Sequence, residues 1–168
     1  MKVLVAYMSK TGNTKKVAEA IFAEIKEDKE LKPIEEVDSI QGYNLSFLGF
    51  PARQMGPDKK AVKLLEKHCV NGRNVVLFIT HAIPEGGKEL LPMLDKFRQV
   101  AGRANIIDIF DCQGQLAGPV KFMMSMMPDA RLRQWAKTDT SQGQPDQSRL
   151  DRARGFSRNV MQKVHGKN

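Results

Sequence analysis

Val3-Leu4-Val5-Ala6-Tyr7-Met8 runs directly into Ser9-Lys10-Thr11-Gly12-Asn13-Thr14, and the next apolar residues are Val17, Ala18, Ile21, Phe22 and Ile25. The first six residues are continuously apolar rather than alternating, the pattern of a strand covered on both faces, as in a parallel sheet. The later positions fall on one stripe of a helix, which the spacing carries to about Lys29. Strand, polar loop, helix is therefore the opening unit. A loop that leaves a strand's carboxyl end and opens a helix aims unpaired backbone N–H groups and the positive end of the helix dipole at one point, where an anion is the natural occupant. Ser9, Thr11 and Thr14 add hydroxyl donors, and Gly12 permits the tight turn. Lys10 is a lone charge, and no Gly-Lys-Ser/Thr ending follows. The set suits a terminal phosphomonoester better than a triphosphate with its magnesium ion.

The alternation continues outward from this unit. A short strand is expected at Lys32 to Val37 and a buried one at Leu45 to Phe50, followed by a loop from Pro51 to Pro57. A helix with Val62, Leu65 and Cys69 on one side is closed by Asn71-Gly72. Val75 to Thr80 is a β-branched and aromatic strand. His81 to Gly87 is a Pro/Gly loop, and Leu90, Leu94, Phe97 and Ala101 mark a helix stopped by Gly102. Ile106 to Phe110 reads as the fifth strand. Five strands interleaved with helices predict an open parallel α/β sheet with right-handed crossovers. Residues 118–143 break the rhythm as a helical or irregular insertion. It contains the methionine-dense Phe122-Met123-Met124-Ser125-Met126-Met127 and an amphipathic Ala130 to Lys137. An extra helix packed on the sheet is the favoured reading of those methionines, and an adaptable docking surface is the other. Leu150, Ala153, Phe156 or Ser157, Val160 and Val164 form a closing helix with Arg149, Arg152, Arg154 and Arg158 on its outer face.

Composition narrows the function. At 168 residues the chain is expected to make one domain, 1–168, with a core that needs no disulfides. Only Cys69 and Cys112 are present, with no metal-ligand spacing, so no metal site is expected. Cys112 is read as a small buried hydrophobe rather than as a group at the site mouth. No apolar stretch approaches a membrane span and no cleavage signal follows the first apolar run, which predicts an unprocessed cytoplasmic chain. Lys plus Arg number 27 against 19 for Asp plus Glu, a net +8, with nine basic and four acidic residues between Asp129 and Asn168. That surface suits an anionic partner, but zinc-finger spacing, aromatic-laced basic strands and basic-helix motifs are all missing, so nucleic acid is not expected. No nucleophile–base pair or carboxylate dyad is visible, and no catalytic residue is assigned.

With these residues in view, the chain resembles the flavodoxin family. Ser9-Lys10-Thr11-Gly12-Asn13-Thr14 matches that family's Ser/Thr-x-Thr-Gly-x-Thr signature for the FMN phosphate at every defined position. The resemblance implies a flavodoxin-like open five-stranded parallel sheet, order 2-1-3-4-5, with helices on both faces and FMN at the switch point between the first and third strands. It also implies that the loops after strands three and four flank the flavin ring. The expected cofactor-binding residues are therefore Ser9, Lys10, Thr11, Gly12, Asn13 and Thr14, then Pro51, Ala52, Arg53, Gln54, Met55 and Gly56, with Thr80, His81 and Ala82. Family members turn the carbonyl of a peptide preceding a glycine toward flavin N5, and Met55-Gly56 resembles that element, with Gly56 able to take a positive φ. They also commonly sandwich the ring between Trp or Tyr side chains, which neither loop contains; Phe50, Met55 and His81 are the nearest substitutes. Family carriers are often acidic, whereas this chain is basic, so its redox partner is expected to present an acidic docking surface. The favoured function is an FMN-dependent electron carrier. The alternatives are an oxidoreductase that reduces a small acceptor, such as a quinone or a tetrapyrrole, and a non-redox phosphate-binding module.

Overall fold

The computed structural model describes residues 1–166; Lys167 and Asn168, counted in the expected domain 1–168, lie outside the described residues. Five parallel strands, β1 (Lys2–Tyr7), β2 (Asp28–Pro33), β3 (Leu45–Pro51), β4 (Asn74–His81) and β5 (Asn105–Gln113), form one sheet in the order β2-β1-β3-β4-β5. The expected architecture and strand order are thus present. Helices α1 (Asn13–Glu24) and α6 (Gln147–His165) cover one face. There Val3, Val5, Phe47, Val76 and Phe78 pack with Val17, Ile21, Ala153 and Val160. On the other face α2 (Lys59–His68) and α3 (Leu90–Val100) enclose Leu4, Leu48, Phe50, Leu77, Leu65, Met93 and Phe97. Successive residues of β1, β3 and β4 thus enter different cores, which is why those strands are apolar throughout.

Three elements differ from the sequence reading, and the first two differences trace to the sheet edge. β2 lies at Asp28–Pro33, before the expected Lys32–Val37, and none of its residues is buried. Its charged residues suit an edge strand but hide it from a search for apolar runs. Ile34 and Val37 mark instead a single 3-10 turn, Ile34–Glu36, that drops into the core. Helix α1 stops at Glu24 rather than near Lys29, because Lys29 already belongs to β2. Its ammonium donates to the carbonyls of Phe22 and Ile25 at 2.8 and 2.7 Å, closing the helix end. Likewise α2 ends at His68, and Asn71 and Gly72, both at positive φ, form the turn into β4 instead of the helix terminus.

The segment after β5 folds into α4 (Gly118–Met126) and α5 (Ala130–Lys137), which pack on each other. Packing of the methionines against the sheet, the favoured reading, is not what occurs. No residue of α4 is buried, and Phe122 and Met126 are 70% and 73% exposed. The sheet's faces are already filled by the other four long helices, so this pair stands over the sheet's carboxyl edge. Among the described residues no helix is long and apolar enough to cross a membrane.

Candidate functional site

The order β2-β1-β3 means that the chain leaves β1 in one direction and later returns to add β3 on its other side. The carboxyl ends of β1 and β3 therefore part into a crevice, the place where open α/β sheets take ligands. A cavity of about 730 Å³ lies along this edge. Lys10, Thr11, Asn13 and Thr14 from the loop after β1 line it, as do Pro51, Ala52, Arg53, Gln54 and Met55 from the loop after β3. Thr80 and His81 from the end of β4, with Ala82 after it, also line the cavity; Ser9, Gly12 and Gly56 of the expected set do not, although Ser9 and Gly12 belong to the same loop as Lys10 and Thr11.

The β1 loop is built for an anion. Gly12, at φ 90°, is the N-cap of α1, and no side chain caps the helix, so the dipole and first-turn amides are uncompensated by protein. An L side chain at Gly12 would be strained by that φ. Ser9 Oγ is buried with no hydrogen-bond partner. Orphaned buried hydroxyls are costly, and this one is a donor that a bound ligand could satisfy. Thr14 Oγ1 is 2.8 Å from Thr80 Oγ1, joining the loop to β4. Asn13 uses its side chain for structure, donating through Nδ2 to the carbonyl of Gln115 at 2.9 Å. A Cβ on Gly114 would lie 2.8 Å from that same Nδ2, so glycine is required for Asn13 to reach across.

The β3 loop is a two-residue turn. Arg53 and Gly56 exchange backbone hydrogen bonds of 2.8 and 3.1 Å, and the central residues Gln54 and Met55 both have positive φ, 48° and 62°. This is the pattern of a type I′ turn without its usual glycine or asparagine. The positive φ expected at Gly56 falls on the two residues before it. The Met55 carbonyl accepts from Lys96 Nζ at 2.9 Å, and the Lys96 stem lies over Gly56, 3.0 Å from where a Cβ would be.

The aromatic question has an unexpected answer. Phe50 is wholly buried and stacked near Phe97, centroids 6.4 Å apart, so it offers the cavity nothing. His81 is buried with both ring nitrogens engaged, one 3.1 Å from the Ile83 carbonyl oxygen and the other 3.1 Å from Asp111 Oδ2. Of the three substitutes Met55 and His81 line the cavity, but the His81 ring is held by these two bonds. The aromatic wall comes instead from Trp135 on α5, with Leu132 beside it, Val120, Met123 and Met124 from α4, and Met127 just past the end of α4. The loop after β5, Gly114 to Ala117, also lines the cavity. Its place at the same sheet edge was the signal that could have found it.

Neither cysteine can act here as a nucleophile. Burial pushes the thiols of Cys69 and Cys112 up to about 12, Cys112 further opposed by Asp111. Among the described residues no cluster of three or more His, Cys, Asp or Glu could hold a metal ion. What remains is an anion nest at one end and a slot walled by apolar side chains at the other, suited to a phosphate tail on a flat ring.

This fold is that of the flavodoxin class, and sequence comparison agrees: residues 4–158 match the flavodoxin domain family, to which the chain belongs. It is 33% identical over 175 residues to the flavodoxin-like domain-containing protein BilS of Clostridioides difficile (strain CD3), with 98% of each chain covered. A flavodoxin of Streptococcus pneumoniae superposes with a TM-score of 0.60 at 12% identity, covering 97% of this chain and 99% of that one. A Lactobacillus acidophilus flavoprotein solved in complex with FMN superposes with a TM-score of 0.53 at 24% identity, over 66% of this chain and 92% of its own.

Proposed function

We propose that this chain is a single flavodoxin-like domain that binds FMN and carries one or two electrons to a redox partner protein with an acidic docking surface. The observation that carries the reading is Ser9: a buried hydroxyl with no partner, in an uncapped helix-opening loop beside a slot for a planar ring. Membership of the flavodoxin family and the FMN held by the Lactobacillus relative support it. FMN, when bound, supplies reversible one- and two-electron transfer. The chain's own residues bind and orient. The Ser9, Thr11 and Thr14 hydroxyls and the first amides of α1 hold the phosphate; Ala52, Met55 and Trp135 enclose the ring and exclude water. With His81 tied at both nitrogens and both thiols held protonated by burial, no side chain of the site is arranged for nucleophilic chemistry, and the chemistry falls to the flavin.

Titration of the purified protein with FMN, followed by loss of flavin fluorescence, should saturate at one flavin per chain. No saturable uptake would contradict the reading. A second reading, direct reduction of a flat acceptor such as a quinone or tetrapyrrole, is favoured by the extension of the cavity beneath Met123, Met124 and Met127. Steady-state turnover of a quinone with a pyridine nucleotide would select it.

A further inference from the structure

Helix α4 has two apolar faces, and only one belongs to the cavity. Val120, Met123, Met124 and Met127, at spacings of three, four and seven, line the cavity. Phe122 and Met126, four residues apart, lie on the opposite side and are 70% and 73% exposed. They contribute to neither core cluster. Apolar side chains of this size kept in water beside a functional mouth mark a contact site, and methionine adapts its shape to whatever it meets.

Charge defines the partner. Between Gly118 and Lys137 stand Lys121, Arg131, Arg133 and Lys137 against Asp129 alone. Lys121 is paired with Asp139 at 3.0 Å. Arg133 donates to the carbonyls of Met127 and Pro128 at 2.8 and 2.6 Å, so these bonds leave its charge uncompensated. The Arg131 side chain is 92% exposed and 3.5 Å from Asp129. Pairing two copies through this surface would set basic side chains against basic side chains, because a two-fold contact joins identical patches. A single nine-residue helix with two outward apolar residues is also a poor membrane anchor.

We propose that the outward face of α4, centred on Phe122 and Met126 and flanked by Arg131 and Arg133, is the docking site for an acidic redox protein. The proposal rests on the electron-carrier reading above and assigns the surface through which that carrier works. Because the same helix walls the cavity, the docked partner lies one helix diameter from the bound ring.

The test uses the FMN-loaded full chain, reduced anaerobically with dithionite and freed of excess reductant, mixed in a stopped flow with ferric cytochrome b5, a small acidic haem protein. Each haem takes one electron from the flavin and passes from Fe(III) to Fe(II). The double substitution Phe122→Ser with Met126→Ser should lower the second-order rate at least tenfold and Arg131→Glu at least threefold, with the wild-type rate falling as salt is added. The rate with ferricyanide, which needs no docking surface, should be unchanged in the double variant. Equal cytochrome rates in wild type and double variant would overturn the proposal while leaving the carrier reading intact. So would loss in the double variant of co-sedimentation with phosphatidylserine vesicles, or of a wild-type dimer in sedimentation velocity, without a change in cytochrome rate. A protein that takes up no FMN would overturn the carrier reading and the proposal with it.

Discussion

Lys96 Nζ, carried by α3, lies 2.9 Å from the carbonyl oxygen of Met55 and holds a turn in which two successive non-glycine residues have left-handed backbone. Each such residue costs on the order of 1 kcal/mol or more unless its surroundings impose the conformation. The ammonium supplies part of that imposition, and Arg53 and Gly56 close the turn from below. Lys96→Met keeps the stem over Gly56 and deletes the hydrogen bond, an exposed one worth about 1 kcal/mol. FMN affinity, read by fluorescence titration, should fall roughly fivefold. Gln54→Gly should raise the melting temperature of the flavin-free protein by relieving its positive φ.

Trp135 is the sole tryptophan of the chain and lines the cavity from α5. Its emission should therefore be strongly quenched when FMN is added, and the quenching should follow the same curve as the loss of flavin fluorescence. Trp135→Ala should weaken FMN by several-fold, since an aromatic pair contributes about 0.5–1.5 kcal/mol beyond the area it buries. Full tryptophan emission at saturating FMN would remove Trp135 from the site.

Trp135 also illustrates what the sequence could and could not convey. The β1 strand and its loop are legible because a strand buried on both faces must be apolar throughout, and because a phosphate nest is local, its parts consecutive in the chain. The edge strand β2 is not legible, since an exposed edge is selected for charge, and Ile34 and Val37 beyond it carry a stronger apolar signal. Nothing near residue 135 announces that it will face residues 51–55, some eighty positions earlier. That juxtaposition follows only from α4 and α5 folding back over the sheet edge. The methionines of α4 are plainly apolar in sequence, but their burial depends on whether the sheet has a free face, and α1, α2, α3 and α6 leave none.

Ser9 offers a prediction of unusual sign. Removing a hydroxyl that is buried and unpaired should leave the flavin-free protein as stable as before, or more so, while removing a donor to the ligand. Ser9→Ala is thus expected to keep or raise the melting temperature without FMN and to weaken FMN about tenfold. Thr14→Val behaves differently, because it strands the Thr80 hydroxyl 2.8 Å away; stability itself should drop by about 1–3 kcal/mol.

Stability should also decline at both ends of the pH scale. Hydrogen bonds from Lys2, Lys32 and Tyr43 hold Glu30 down to about 2, from an ordinary 4.5. Its contribution is present above pH 4.5 and is lost as the pH falls toward 2, and added salt should shrink it because the group is exposed. The thiols have the opposite sign. Cys69 and Cys112 sit near 12 when folded against an ordinary 9.0, so the unfolded chain releases protons first and stability falls as the pH rises from 9 to 12. Glu30→Gln should flatten the acid limb of a denaturation profile. Iodoacetamide at pH 8 should label neither thiol until the chain is unfolded, as mass spectrometry would record.

The central claim is that the loop from Ser9 to Thr14 grips a phosphate. Calorimetric titration of the flavin-free protein with FMN and, separately, with riboflavin compares two ligands that share the ring and differ in the phosphate. FMN should bind at least a hundredfold more tightly, with most of that advantage lost in Ser9→Ala combined with Thr11→Ala. Equal affinities for the two flavins, or no heat with FMN, would contradict the account.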